Sequence, residues 1–200
     1  MLERFLADAG HQVRALIRNP DHAADVEAAG AEALVADIEQ LDAFALADLI
    51  TDADAIVFAA GAGPTSGPER KWTVDYGGAA KLIDVAVANS IPRFVMVSAV
   101  GANAAAPDDG TFNTYLRAKG QADSDLTQSE LDYTILRPGP LSNDPGTGEI
   151  TIGANGEGGP VPREDVAATV AAVIEQDATI GLTLEFRGGG LPIAEAVGQL

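Results

Sequence analysis

Short apolar runs alternate with amphipathic stretches from one end of this chain to the other. Val13-Arg14-Ala15-Leu16-Ile17-Arg18 reads as a strand stopped by Asn19-Pro20. Ala33-Leu34-Val35-Ala36, Ala55-Ile56-Val57-Phe58, Phe94-Val95-Met96-Val97 and Tyr133-Thr134-Ile135-Leu136 read the same way. Runs of this length with no polar alternation suit strands buried on both faces, as in a parallel sheet. Helical windows fall between them, around 41–50, 69–89 and 112–129; in the second, Ala80, Ile83 and Val87 recur at helical spacing with polar residues between. Arg163-Glu164-Asp165-Val166 opens a later helix and Leu182-Thr183-Leu184-Glu185-Phe186 a last strand. Strand-helix alternation of this kind predicts a doubly wound α/β fold with a mostly parallel sheet. The stretches 61–68 and 143–148, rich in glycine, proline and small polar residues, read as the mobile turns.

With 46% hydrophobic residues in a chain of 200, we expect one buried domain spanning residues 1–200. No run reaches the ~18 apolar residues of a membrane span, and the start lacks a basic, then apolar, leader pattern. We therefore expect a cytoplasmic protein without a membrane partner. The absence of cysteine excludes disulfides, thiolate metal sites and a cysteine nucleophile. His11 and His22 offer no ligand pair, so no metal site is expected.

Thirty acidic residues against twelve basic ones give a formal charge of −18, which argues against nucleic acid as a partner. The acids are dispersed, and Lys71, Lys81 and Lys119 are the only lysines. Dispersed acid with scarce lysine suggests adaptation to high salt, where self-repulsion is screened. An ordinary acidic protein fits the same numbers.

Tyr115 and Lys119 are the first residues that point to chemistry. Four positions apart on a predicted helix, they share a face. Three tyrosines and three lysines yield about 0.05 such pairs by chance in this length, so position carries the argument. A cation near a tyrosine hydroxyl favours phenolate, which lowers the pKa toward the working range of a general acid or base. Ser98 closes an apolar run, at the strand end where ligands of open α/β sheets sit. A hydroxyl there can orient a substrate oxygen.

The run Tyr115-Leu116-Arg117-Ala118-Lys119-Gly120-Gln121-Ala122-Asp123, followed by Leu131-Asp132-Tyr133-Thr134-Ile135-Leu136-Arg137-Pro138-Gly139-Pro140-Leu141, resembles the atypical short-chain dehydrogenase/reductases. Within them it is similar to the NAD(P)-binding, NAD-dependent epimerase/dehydratase-like subgroup. The likeness extends to Gly146-Thr147-Gly148, Arg163-Glu164-Asp165-Val166-Ala167 and Pro192-Ile193-Ala194-Glu195-Ala196, nearly the whole chain. It implies a Rossmann-like fold with Ser98, Tyr115 and Lys119 as the catalytic trio. Asp75, in Val74-Asp75-Tyr76-Gly77-Gly78, stands where better-known relatives carry asparagine. The implied activity is hydride transfer between nicotinamide and a small-molecule substrate, with Tyr115 as acid/base. The rival reading is a regulator that senses the dinucleotide.

The resemblance also implies a cofactor site. NAD binders place an acid at the end of the second family strand, whereas an arginine suits the 2′-phosphate of NADP. Ile17-Arg18-Asn19-Pro20 has no acid, so Arg18 predicts NADP over NAD. Asp37 is expected near the adenine amino group, Ala59, Ala60 and Gly61 along the adenosine side, and Pro138 and Gly139 at the nicotinamide. The family's opening strand and glycine-rich turn have no counterpart before Leu2. The glycines of 153–159 come too late in the fold to replace them. The expectation is a gap in the sheet, or a foreign strand filling it, with weak dinucleotide binding by this chain as a truncated product. Substrate is unspecified, and self-association stays open.

Overall fold

The computed structural model describes residues 1–107, 109–153 and 158–200. Its elements follow the predicted alternation. Helix α1 (Leu2–Asp8) leads to β1 (Val13–Ile17), α2 (Ala23–Ala28), β2 (Ala31–Val35), α3 (Ala43–Leu49) and β3 (Ala55–Phe58). The window expected at 69–89 is one composite helix: α4 (Pro68–Arg70), a π-helical segment (Lys71–Tyr76) and α5 (Gly77–Ala88). Next come β4 (Arg93–Val97), α6 (Thr111–Gln128), β5 (Asp132–Pro138), β6 (Leu141–Ser142), β7 (Glu149–Ile152) and β8 (Val161–Pro162). Helix α7 (Arg163–Ile174), β9 (Leu182–Gly188), β10 (Leu191–Pro192) and α8 (Ile193–Gly198) close the chain.

Six strands form one sheet in the order β10-β7-β9-β5-β4-β3. Strands β3, β4, β5 and β9 run parallel, with β7 antiparallel to β9 and β10 antiparallel to β7. Phe94, Val95 and Met96 in β4 have no exposed surface, as their unbroken apolar run anticipates for a strand covered on both faces. One face packs on α3, α5 and α6 through Leu46, Leu82, Phe94, Leu126 and Ile135. The other packs on α7 and α8 through Val95, Leu136, Val170, Phe186 and Val197. The pairing β1 with β2 is also parallel but forms a separate two-stranded sheet. The sheet is thus divided between β1 and β3, at the place expected for the family's first strand.

Two stretches differ from the sequence reading. Residues 143–148 are tied down at several points, not loose. Gly146 N donates to Glu164 Oε2 (3.0 Å), Thr147 N to Asp165 Oδ2 (2.9 Å) and Gly148 N to Asp165 Oδ1 (2.9 Å). The first turn of α7 thereby holds the turn through buried Asp165, a long-range partner that local composition cannot reveal. Leu182–Phe186 is also not the last strand, because β10 follows it. In the glycine-rich stretch 153–159, residues 154–157 lie outside the described residues. No helix among the described residues is long and apolar enough to cross a membrane.

Close packing brings α6 against the segment after β4. A Cβ on Gly120 would collide with the backbone of Asn103 and Ala104. Asn103 N also donates to Leu116 O at 3.0 Å. A glycine is therefore required there, and it fixes the height of α6 over the ends of the strands.

Candidate functional site

The ends of β3 and β4, the π-helical segment and α6 converge on Lys119. Its side chain is buried, and Nζ donates to Val97 O (3.0 Å) and Ala60 O (3.4 Å). Asp75 Oδ1 lies 3.7 Å from the same nitrogen. The ammonium also sits 5.3 Å from the centroid of the Phe58 ring. Burial pulls the Lys119 pKa below the ordinary lysine value, with Asp75 and Asp123 opposing that shift.

Asp75 reaches this position because the helix turns through a π segment there. The wider turn places Lys71, Val74 and Asp75 inward together. Asp75 Oδ2 accepts from Ala62 N at 3.1 Å, so one buried carboxylate anchors the loop after β3 as well as Lys119. A Cβ on Gly61 would stand 2.9 Å from Asp75 Oδ1, so the loop approaches this closely only with glycine. Ala59, Ala60 and Gly61 are exposed and line the cleft outside β3.

Tyr115 lies one turn before Lys119 on α6. Burial pushes its hydroxyl up to about 12, reinforced by the negative charges of Asp75 and Asp123. This reverses the expected lowering. The Lys119 ammonium is committed to two backbone carbonyls and Asp75, and the phenol faces two carboxylates in a poorly solvated place. Sequence reasoning missed Lys71, which is buried with Nζ 5.7 Å from the Tyr115 ring centroid and 2.6 Å from Gly63 O.

Ser98 follows β4 directly and is buried, but its hydroxyl is already occupied. Oγ donates to Asp123 Oδ2 at 2.9 Å, and Arg137 Nε donates to the same oxygen at 2.9 Å. Asp123 also went unnoticed, although Tyr115, Lys119 and Asp123 repeat at intervals of four. Burial pushes its pKa up, against the lowering by Ser98 and Arg137. Arg137 leads into Pro138 and Gly139, both buried at the end of β5, where Gly139 N donates to Phe186 O at 2.9 Å.

At the other end of the cleft Arg18 projects into solvent after β1, with Nη1 3.8 Å from Glu39 Oε2. An acid therefore stands beside Arg18 in space, though none lies in Ile17-Arg18-Asn19-Pro20. Glu39 is bound by Arg70, and Thr73 Oγ1 donates to it at 2.6 Å. Arg70 heads the causes that hold the Glu39 carboxyl below its usual value. Asp37 Oδ1 accepts from Glu39 N at 3.0 Å and so shapes the turn carrying Glu39. Arg18, Asp37, Glu39 and Arg70 all line the cleft.

Residues 1–177 match the family model described as NAD(P)H-binding. The chain belongs to this NAD(P)H-binding family. It is 38% identical over 200 residues to the uncharacterized sugar epimerase YhfK of Bacillus subtilis, covering 100% of this chain and 93% of that protein. A solved structure from Bacillus halodurans, named for the NAD-dependent epimerase/dehydratases, has 38% identity and a TM-score of 0.91, covering 100% of this chain and 92% of the other. The oxidoreductase ylbE from Lactococcus lactis has 27% identity and a TM-score of 0.83, with coverage of 100% and 90%. The α/β architecture and the resemblance to atypical short-chain dehydrogenase/reductases are thus shared with oxidoreductase and epimerase-like relatives.

Proposed function

We propose that the site serves an NADP-dependent oxidoreductase or epimerase-like activity on a small molecule. The observation that supports this reading is the buried Asp75–Lys119 pair at 3.7 Å, which joins the ends of β3 and β4 to α6 one turn from Tyr115. Bound NADP would supply hydride transfer to or from a carbonyl or alcohol carbon. Tyr115, protonated at neutral pH, donates to the oxygen of a carbonyl being reduced. Lys119 holds the strand ends in place, and Ser98 orients the substrate oxygen once its hydroxyl turns from Asp123.

The donor set fits two of the cofactor's three parts. Arg18 and Arg70 bring two positive charges against Glu39 at the mouth of the cleft, suited to a 2′-phosphate, and exposed Ala59, Ala60 and Gly61 admit an adenosine. Pro138 and Gly139 border the opposite end. At the start of α1, Glu3 places a carboxylate in the helix's first turn, which opposes a phosphate there.

NADPH oxidation across a panel of aldehydes, ketones and keto sugars tests the reading, with NADPH binding measured in parallel. Tyr115→Phe should lower turnover by about two to four orders of magnitude while leaving cofactor affinity nearly unchanged. Binding without turnover would favour a dinucleotide-sensing regulator, and turnover indifferent to Tyr115→Phe would remove Tyr115 from the acid/base role. The engagement of Ser98 by Asp123 is the observation in favour of that second reading.

A further inference from the structure

Of the twelve lysines and arginines, Arg187 alone meets no hydrogen-bond, ion-pair or ring partner among the described residues. It is nevertheless half-buried. Arginine is seldom withdrawn from water without a partner. In a chain with thirty acids, a guanidinium that faces none of them calls for an anion from elsewhere.

Its place in the sheet shows where that anion would lie. Leu184 and Phe186 of β9 join the cluster of α7 and α8, so Glu185 and Arg187 point to the opposite face. That is the face of α6, because Glu185 lies 3.4 Å from Arg137, which Asp123 of α6 binds. The strand order β4-β5-β9 sets Ser98, Gly139 and Arg187 at neighbouring strand ends, on the side that carries Tyr115 and Lys119. Two strand spacings separate the backbones of Ser98 and Arg187 by about 10 Å. The side chain shortens that distance. A Cβ on Gly139 would stand 2.9 Å from Arg187 Nη1 and 3.3 Å from its Cγ, so the arginine lies across Gly139 toward β5. Gly158 makes room for the stem, since a Cβ there would stand 2.8 Å from the Cβ of Arg187.

We propose that Arg187 binds an anionic group of the substrate, a carboxylate or a phosphate carried close to the reacting carbon. This rests on the oxidoreductase reading of the same site. Tyr115 and Ser98 then hold the substrate oxygen, Pro138 and Gly139 border the nicotinamide, and Arg187 fixes the third direction of the molecule. A planar guanidinium offers paired donors that match either anion. The formal charge of −18 repels anions from the rest of the surface, so the attraction has to be local. A neutral sugar or aldehyde would leave this guanidinium without a partner.

The test titrates the protein at low ionic strength with pyruvate, with inorganic phosphate and with neutral methyl pyruvate, following the arginine Nε–H signals by NMR. Arg187→Met keeps a stem over Gly139 and identifies the Arg187 signal by its loss. Pyruvate or phosphate should shift that signal saturably, and methyl pyruvate should leave it in place. The tighter of the two anions tells a carboxylate substrate from a phosphorylated one. No response to either anion, or a drift of many arginines without saturation at Arg187, would overturn the proposal. A second arm compares keto acids and phosphorylated keto sugars with their neutral esters and parent sugars in NADPH oxidation. Arg187→Met should raise KM for the anionic compounds about tenfold or more, with kcat little changed and the neutral compounds unaffected. Equal losses for charged and neutral compounds would overturn the proposal as well. The titration needs neither NADP nor turnover. Saturable anion binding at Arg187 without turnover of any compound would therefore count against the oxidoreductase reading and leave the anion site standing.

Discussion

Ser98 and Asp123 share a hydrogen bond of 2.9 Å in the interior, with the serine hydroxyl as donor and Asp123 Oδ2 as acceptor. The same oxygen receives Arg137 Nε and lies 2.9 Å from Nη2, so one carboxylate couples the end of β4 to the end of β5. Asp123→Ala should therefore cost about 2–4 kcal/mol in urea unfolding, somewhat below the usual loss on breaking a buried pair, because Glu185 stands 3.4 Å from Arg137 and retains part of the compensation. A loss below about 1 kcal/mol would mean that Glu185 replaces Asp123 entirely.

Tyr115 predicts an alkaline limit to stability. Its folded pKa of about 12 lies above the ordinary value of 10.0, because burial favours the neutral phenol. The contribution is intact below pH 10, where Tyr115 is neutral in both states, and is lost as pH rises toward 12. Two units correspond to about 2–3 kcal/mol. Across that window wild type should lose stability relative to Tyr115→Phe, which has no phenol to ionise. Parallel denaturation curves from pH 9 to 11.5 would contradict the shift.

The proximity of Glu39 to Arg18 makes cofactor preference a balance of charges. In any form of the protein that binds dinucleotide, Glu39→Gln should raise the preference for NADP over NAD roughly tenfold by removing the nearest negative charge from Arg18 and Arg70. Arg18→Asp should reduce it. The Kd ratio for the two cofactors is the measurement, and a ratio unmoved by both changes would remove Arg18 from the site.

Salt should raise the melting temperature. Thirty acids against twelve bases oppose the compact state, and the Debye length falls from ~10 Å at 0.1 M to ~3 Å at 1 M. A flat or falling Tm between those concentrations would argue against adaptation to high salt.

The amino-acid pattern alone was enough to place the parallel strands and to bring Tyr115 and Lys119 to one helical face. Side-chain periodicity is a local property: an unbroken apolar run such as Phe94–Val97 has few destinations besides a doubly covered strand. The two-residue strands at Leu141, Val161 and Leu191 were not legible, because segments so short carry no period and exist only through their partners. The same holds for the turn at 143–148, held by Asp165 from eighteen residues away. Within the site, residue type and spacing identified Ser98, Asp75 and Lys119 as polar groups at strand ends and on helices. Only the folded chain decided whom each one faces. Lys119 turned out to serve Asp75 and two carbonyls, Ser98 to serve Asp123, and Arg18 to stand beside Glu39. Those pairings depend on charges brought together across the sheet and on how much water is excluded between them. Neither distance nor dielectric is written in the order of residues along a chain.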